Sequence, residues 1–258
     1  MGHNRLGRLP RTRRWREVVA LLDQGPSATS QVATAVVEAA ERALRELAND
    51  PVVADAVQTL IRITWAARSS AFVDELGALG LSSADASALS VVAAIGDRIR
   101  ESVAEHPESS YFGEIAALAA RSALTETVLV QGPGLFFSSA EDVQHAFREY
   151  STRDRFGELA RRFFADFMSR SLRSWVDREL SNHVGGQGVG SMAEASDFLK
   201  AIDTHTWQAA RIVEDFAGGW YSKRNWELGG DITRDEAQKF VAVSLRKLRA
   251  ELRMGATA

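Results

Sequence analysis

The sequence predicts an all-α fold, a multi-helix bundle of antiparallel helical hairpins with about nine to eleven helices. Three observations carry that prediction. Apolar residues recur at three- and four-residue spacing over most of the 258 residues, the period of a helix and not of a strand. Helix-starting residues stand in front of these stripes at Asp50-Pro51, Ser138 with Glu141, Ser191 with Glu194, and Thr233 with Glu236. Only "VLVQGPGLFFSS" (128–139) has the composition of a strand, and Gly132-Pro133-Gly134 interrupts it, which predicts a loop between helices.

From the N-terminus, "WREVVALLDQG" (15–25) reads as a short helix closed by Gly25. "SQVATAVVEAAERALREL" (30–47) lines up Val32, Val36, Ala39, Ala43 and Leu47 on one stripe. Asp50 is placed to cap a helix with Pro51 at its first position. The segment that follows, "VVADAVQTLIRITWAA", is apolar around most of its circumference, which predicts a central, buried helix. Ala88, Val92, Ile95, Ile99 and Val103 repeat the pattern, and an alanine-rich helix follows to about Thr125. Ser138 and Glu141 have capping-box spacing and open a helix ending near Tyr150.

Residues 154–182 carry Phe156, Leu159, Phe163, Phe167, Leu172, Trp175, Val176 and Leu180 on a helix of about 40 Å at 1.5 Å per residue. The next stripe holds Phe198, Ile202, Ala209, Ile212 and Phe216. The last holds Ala237, Phe240, Val241, Ser244, Leu245, Leu248 and Leu252.

The chain has no cysteine, which removes disulfides, thiolate metal sites and cysteine nucleophiles together and fits a reducing compartment. The N-terminal residues lack the apolar core of a secretory signal, and Leu6 stands where a myristoylation signal needs Ser or Thr. No run of about 18 apolar residues is present, so a cytoplasmic protein without membrane contact is expected. Arginine outnumbers lysine 27 to 4 and alanine is abundant, the usage expected of a GC-rich bacterial genome.

The net charge of −3 is unevenly spread. Residues 1–16 hold Arg5, Arg8, Arg11, Arg13, Arg14 and Arg16 with no acid. Residues 17–152 have a net charge of −11 and residues 153–258 of +2. This divides the chain into a basic arm (1–16), an acidic alanine-rich helical region (17–150) and a helical hairpin region with a basic C-terminal helix (151–258). The last two could also form one continuous domain.

Six guanidiniums without a compensating acid suit phosphates or an acidic partner, and they suit equally the acidic body of this chain or a sister subunit. "FAGGWYSKRNWELGG" (216–230) interleaves Trp220, Tyr221 and Trp226 with Lys223 and Arg224. Such a set either stacks bases and binds phosphates or fills a corner where helices meet, and the corner is favoured.

"NHVGGQGVGS" (182–191) is dense in glycine, but Gly185, Gly186, Gly188 and Gly190 fit neither phosphate-loop spacing, and a helix precedes them where those loops need a strand. A hinge is expected. His3, His106, His145, His183 and His205 are scattered without metal-ligand spacing, so no metal and no cofactor is expected; His205 falls on an apolar stripe and reads as a hydrogen-bonded core histidine.

"RELSNH" (178–183) places an arginine five residues before a histidine at a helix end. This resembles the arginine–histidine signature of the HEPN ribonucleases, small all-helical domains that dimerise. The resemblance covers two residues. It implies metal-independent RNA cleavage, with Arg178 stabilising charge on the scissile phosphate and His183 handling the proton. Glu179 departs from the family, where Asn, Asp or His follows the arginine, and Arg100 with His106 repeats the spacing elsewhere.

The leading expectation is a non-catalytic adaptor or assembly subunit of a bacterial multi-component system. Its arm would serve nucleic acid or an acidic partner, and a protein partner or a second copy of the chain would complete the assembly. The alternatives are a HEPN-like ribonuclease acting as a toxin or defence effector, and a DNA-binding regulator. The regulator rests on the arm and on the hairpin after it, which lacks the second break that a helix-turn-helix needs before Asn49.

Overall fold

The structure, a computed structural model, describes residues 13–22, 29–81, 87–106, 110–130, 139–183 and 192–254. Arg5, Arg8, Arg11, the stop at Gly25, Ser138, the Gly132–Gly134 loop, the glycine stretch 185–190 and Ser191 lie outside the described residues. Among those described there is no strand, and the fold is an all-α bundle.

Two hydrophobic helices organise it. Helix α4 (Pro51–Ala66) buries Val52, Val53, Ala56, Val57, Leu60, Ile61 and Ile63 around most of its circumference, as its sequence predicts. Asp50 caps it, its Oδ1 accepting from Val52 N at 2.9 Å and Val53 N at 3.2 Å, with Pro51 in the first turn where no N–H is missed. Helix α9 (Arg153–His183) runs through the other half and buries Phe156, Leu159, Phe163, Phe164, Phe167, Met168, Leu172 and Trp175.

Around these two pack α1 (Arg13–Leu22), α2 (Thr29–Ala39), α3 (Glu41–Leu47), α5 (Phe72–Ala78), α6 (Ala88–Glu105), α7 (Ser110–Leu124), α8 (Ala140–Glu149), α10 (Met192–Ala209), α11 (Arg211–Leu228) and α12 (Arg234–Met254). One apolar cluster joins residues from both sides of position 150. Within it α4 packs against α7 and α12, and α9 packs against α7, α10 and α11.

Helices α9 and α11 approach closely because each offers a glycine. A Cβ on Gly157 would stand 2.7 Å from the Glu214 carbonyl oxygen, and one on Gly218 would meet the backbone oxygen of Arg153. Three glutamines bind the layers at helix ends. Gln58 donates to Ile232 O at 2.7 Å, Gln144 to Ala67 O and Ser69 O, and Gln238 to Ala48 O, each giving an N–H to a carbonyl in a connection between helices.

The structure divides two stripes that read as continuous. Residues 30–47 break at Ala40 into α2 and α3, and the stripe from Phe198 to Phe216 breaks at Ala210 into α10 and α11. The break at Ala40 is a single residue, not the three- or four-residue turn of a helix-turn-helix. The cap of α8 is Ser139, whose Oγ accepts from Asp142 N at 3.1 Å, one residue later than the expected pair. The cap of α12 is Thr233, as expected, accepting from Glu236 N at 3.3 Å.

Most of the segment 216–230 lies within α11, which ends at Gly229 in the left-handed conformation that glycine adopts without strain.

Candidate functional site

Three places gather polar or aromatic side chains, and they differ in how far their groups satisfy one another. The first is a cleft of about 560 Å³ between α7, α9 and α10. Helix α9 sends Arg162, Asp166, Ser169, Arg170, Arg173 and Asp177 into it at three- and four-residue spacing, which brings them onto one face. Helix α7 continues as a π-helical turn (Thr125–Leu129), closed by Val130 N to Thr125 O at 2.9 Å, and that turn supplies Glu126. Helix α10 supplies Asp203 and Trp207.

In this cleft the charges are matched pair by pair. Arg162 Nη1 donates to Glu126 at 2.6 Å, Arg170 Nε to Asp166 at 2.7 Å, and Arg173 Nη1 to Asp203 at 3.0 Å, while Ser169 Oγ also donates to Asp203. The face of Trp207 is covered too, by the Arg161 guanidinium at 4.0 Å and Arg162 at 5.5 Å from its ring centre. Burial pushes the Asp166 carboxyl above the ordinary carboxylate range against the pull of Arg170, and it pushes Asp177 up against the pull of Arg173. The cleft is therefore a network of paired charges in which burial raises the pKa of two carboxyls.

The second place is a groove of about 610 Å³ between the end of α4 and the end of α11, lined by Trp65, Arg68, Ser151, Tyr221, Ser222, Asn225, Trp226 and Gly229. Its floor is rigid. Tyr221 stacks on Phe156 with ring centres 3.9 Å apart, meets Trp65 edge-on at 6.4 Å, and shares a hydrogen bond with Thr64 Oγ1 at 3.1 Å; burial raises its phenol pKa, so it stays neutral. Gly230, at φ +91°, lets the chain turn directly against the Trp65 indole, where a Cβ would collide.

The rim of the groove is different, because Trp226 is 86% exposed and Leu228 beside it 39%. Arg68 is exposed, lies over the Trp65 ring at 4.4 Å, and has no ion pair among the described residues.

These contacts split the residues singled out in 216–230. Six residues on a helix turn through about 600°, so Trp220 and Trp226 face different ways. Trp220 packs on Phe240 at 4.5 Å and Tyr221 enters the core, whereas Trp226 stands in solvent. Lys223 reaches Glu227 at 3.9 Å, and Arg224 pairs with Glu227 at 2.9 Å and Glu236 at 3.3 Å, so both cations face carboxylates of their own chain.

The third place joins the two ends of the chain. Arg13 pairs with Glu17 at 3.7 Å and Arg16 is exposed on α1, while Arg14 reaches α2 and α3, donating to Glu38 O at 3.3 Å and standing 3.7 Å from the Glu41 carboxylate. Arg45 and Arg253 bind the same carboxylate at 2.8 and 2.6 Å. Arg249 lies close enough to feel Glu41, Arg253, Arg45 and Arg246. Sequence reading picked out Arg14 and the basic last helix, which holds Arg249 and Arg253, but not their meeting with Arg45 at Glu41.

No family model, curated protein or solved structure matches the chain.

The backbone of Arg178 and of His183 belongs to the last turns of α9, and their side chains lie outside the described residues. The second copy of that spacing does not come together. Arg100 pairs with Asp97 at 2.8 Å and Glu114 at 3.6 Å, while His106 Nε2 accepts from Arg234 at 2.9 Å, beside the pairing of Arg234 and Ser102 with Asp55. His205 is hydrogen-bonded as expected, its Nε2 3.1 Å from Leu252 O, but it is half-buried and not a core residue. Among the described residues no group of His and carboxylate side chains is arranged to hold a metal, and no helix is long and apolar enough to cross a membrane.

Proposed function

We propose that this chain is a helical adaptor that docks a protein partner at the Trp226 groove, receiving an apolar side chain flanked by a carboxylate. One observation carries the reading: the largest apolar side chain left in solvent among the described residues, Trp226, stands on the rim of an aromatic-floored groove. Tryptophan, tyrosine and arginine dominate binding energy where proteins meet, because each buries much area for few rotamers lost. The groove offers Trp226 and Trp65, with Arg68 over the Trp65 ring. Arg68 has no carboxylate partner among the described residues, so charge complementarity favours an acidic residue beside the partner's apolar anchor.

A nucleic acid fits this face less well. Phosphate contacts need cations free to replace counterions, and Lys223 and Arg224 are already paired with Glu227 and Glu236.

The test is selection of peptides from a random library on the intact chain, followed by affinity measurement on variants. Enriched peptides should combine an aromatic or leucine anchor with a neighbouring Asp or Glu. They should bind Trp226→Ala at least ten-fold more weakly, and Arg68→Gln more weakly with a reduced salt dependence. Peptides without acids, or with equal affinity for Trp226→Ala, would refute the reading.

A further inference from the structure

The arginines around Glu41 outnumber what that carboxylate can satisfy. Three guanidiniums, from α1, α3 and α12, contact it directly: Arg14, Arg45 and Arg253. Arg249, one turn before Arg253 on α12, joins them without a share. Its Nε and Nη1 are buried and have no hydrogen-bond partner among the described residues, and the Nε of Arg253 is in the same condition. Burial opposes the charge of Arg249 most, Glu41 favours it, and Arg253, Arg45 and Arg246 oppose it, so its pKa falls below the usual arginine value.

Buried N–H groups without acceptors and like charges held together are both unfavourable, and helices from three separate stretches of chain converge to hold them so. What reverses both costs is an anion.

We infer that the junction of α1, α3 and α12 is a binding site for a phosphate group, formed by Arg45, Arg249 and Arg253 with Arg14 and Arg246 at its edge. A phosphate is favoured over a carboxylate because five guanidiniums against Glu41 leave an excess of about four positive charges, which a dianion with several acceptor oxygens offsets better than a monoanion with two. Guanidinium forks also match phosphate geometry in pairs. The segment holding Arg5, Arg8 and Arg11 precedes α1, whose Arg14 belongs to the cluster, so further cations precede it in the same stretch of chain. This site is independent of the Trp226 groove and would stand if that reading fell.

The experiment is thermal unfolding and calorimetric titration of the full chain at constant ionic strength. Inorganic phosphate is the first probe, sodium acetate the control anion, and a short single-stranded oligonucleotide the second probe. Phosphate should raise the midpoint while acetate leaves it unchanged. Arg249→Met should weaken phosphate at least ten-fold.

Arg45→Gln is the second variant. Its side chain is 68% exposed, so folding is not at stake, and it should weaken phosphate several-fold. Tighter binding of the oligonucleotide than of phosphate, lost in the same variants, assigns the group to a nucleic-acid backbone; phosphate binding without it assigns a free phosphate. Equal shifts with acetate, no shift with phosphate, or a shift that survives Arg249→Met would overturn the inference.

Discussion

The cleft along α9 and the arginine junction at α12 are both rich in charge, and they are built on opposite principles. In the cleft, Arg162, Arg170 and Arg173 each meet a carboxylate, and what burial disturbs is the acids. At the junction, Glu41 is over-supplied and what burial disturbs is an arginine. A catalogue of ionisable residues would rank the cleft first. The balance of donors and acceptors ranks the junction first, because a network that satisfies itself has little left to offer a ligand.

The largest expected difference between the two is in stability, with opposite signs. Arg162 is 20% exposed and holds Glu126 and Glu158 together, so Arg162→Met leaves two acids without their shared donor and should cost about 1–3 kcal/mol. Arg249→Met keeps the length of the buried stem and removes a guanidinium with unmatched N–H groups. It should stabilise by about 1 kcal/mol in the absence of anion. Urea unfolding of the two variants decides it, and two losses of similar size would mean that the junction is as well satisfied as the cleft.

The regions should also titrate in opposite directions. The Glu41 carboxyl is held down to about 2, from an ordinary value of 4.5, by its hydrogen bonds to Arg253 and Arg45. Between those values the unfolded chain binds the proton more readily. This contribution is therefore complete above about pH 4.5 and disappears as the pH falls towards 2. Asp166 and Asp177 are raised by burial, so there the folded chain binds the proton more readily and stability declines as the pH climbs from the ordinary carboxyl value through the raised one. Glu41→Gln should flatten the acid limb of the stability profile, and Asp166→Asn should flatten the decline on the other side. A Glu41→Gln profile superimposable on the parent's would show that the junction does not hold its carboxylate as the geometry demands.

How much of this could be read from the sequence follows from which interactions are local. The helices, the caps at Asp50 and Thr233 and the buried character of α4 depend on residues within a few positions of one another, and each was legible. Ala40 and Ala210 break stripes without a Gly or Pro to mark the break, because alanine is a good helix former whose neighbours are turned aside by tertiary packing. At Ser138-Ser139 followed by Glu141-Asp142 two capping pairs were equally available, and the chain uses the later one.

Trp226 was legible as part of an aromatic segment. That it faces solvent while Trp220 faces Phe240 followed only once the segment was known to be a helix. The basic last helix was legible, but the pairings that build the cleft and the junction were not. Their pairs join Glu126 to Arg162, Arg173 to Asp203, and Glu41 near one end of the chain to Arg253 near the other, and no local spacing encodes those meetings.

The smallest expected effect is the finest test of the comparison. Arg246 is exposed and acts on Arg249 only as a neighbouring like charge, so Arg246→Gln removes repulsion and should stabilise the chain by a few tenths of a kcal/mol at low salt. Arg170 is half-exposed and offsets the buried charge of Asp166, so Arg170→Gln should destabilise by up to about 1 kcal/mol and raise the Asp166 pKa further. Salt separates the two mechanisms. Screening should erase the benefit of Arg246→Gln, since repulsion in the parent is then already weakened. The cost of Arg170→Gln should persist in part, because its Nε–Asp166 hydrogen bond at 2.7 Å is a short-range contact to a buried carboxylate. Unfolding midpoints for both variants at low and high sodium chloride give the answer. If both effects vanished together with salt, the cleft would be a set of screened surface pairs and the distinction between the two regions would be one of degree.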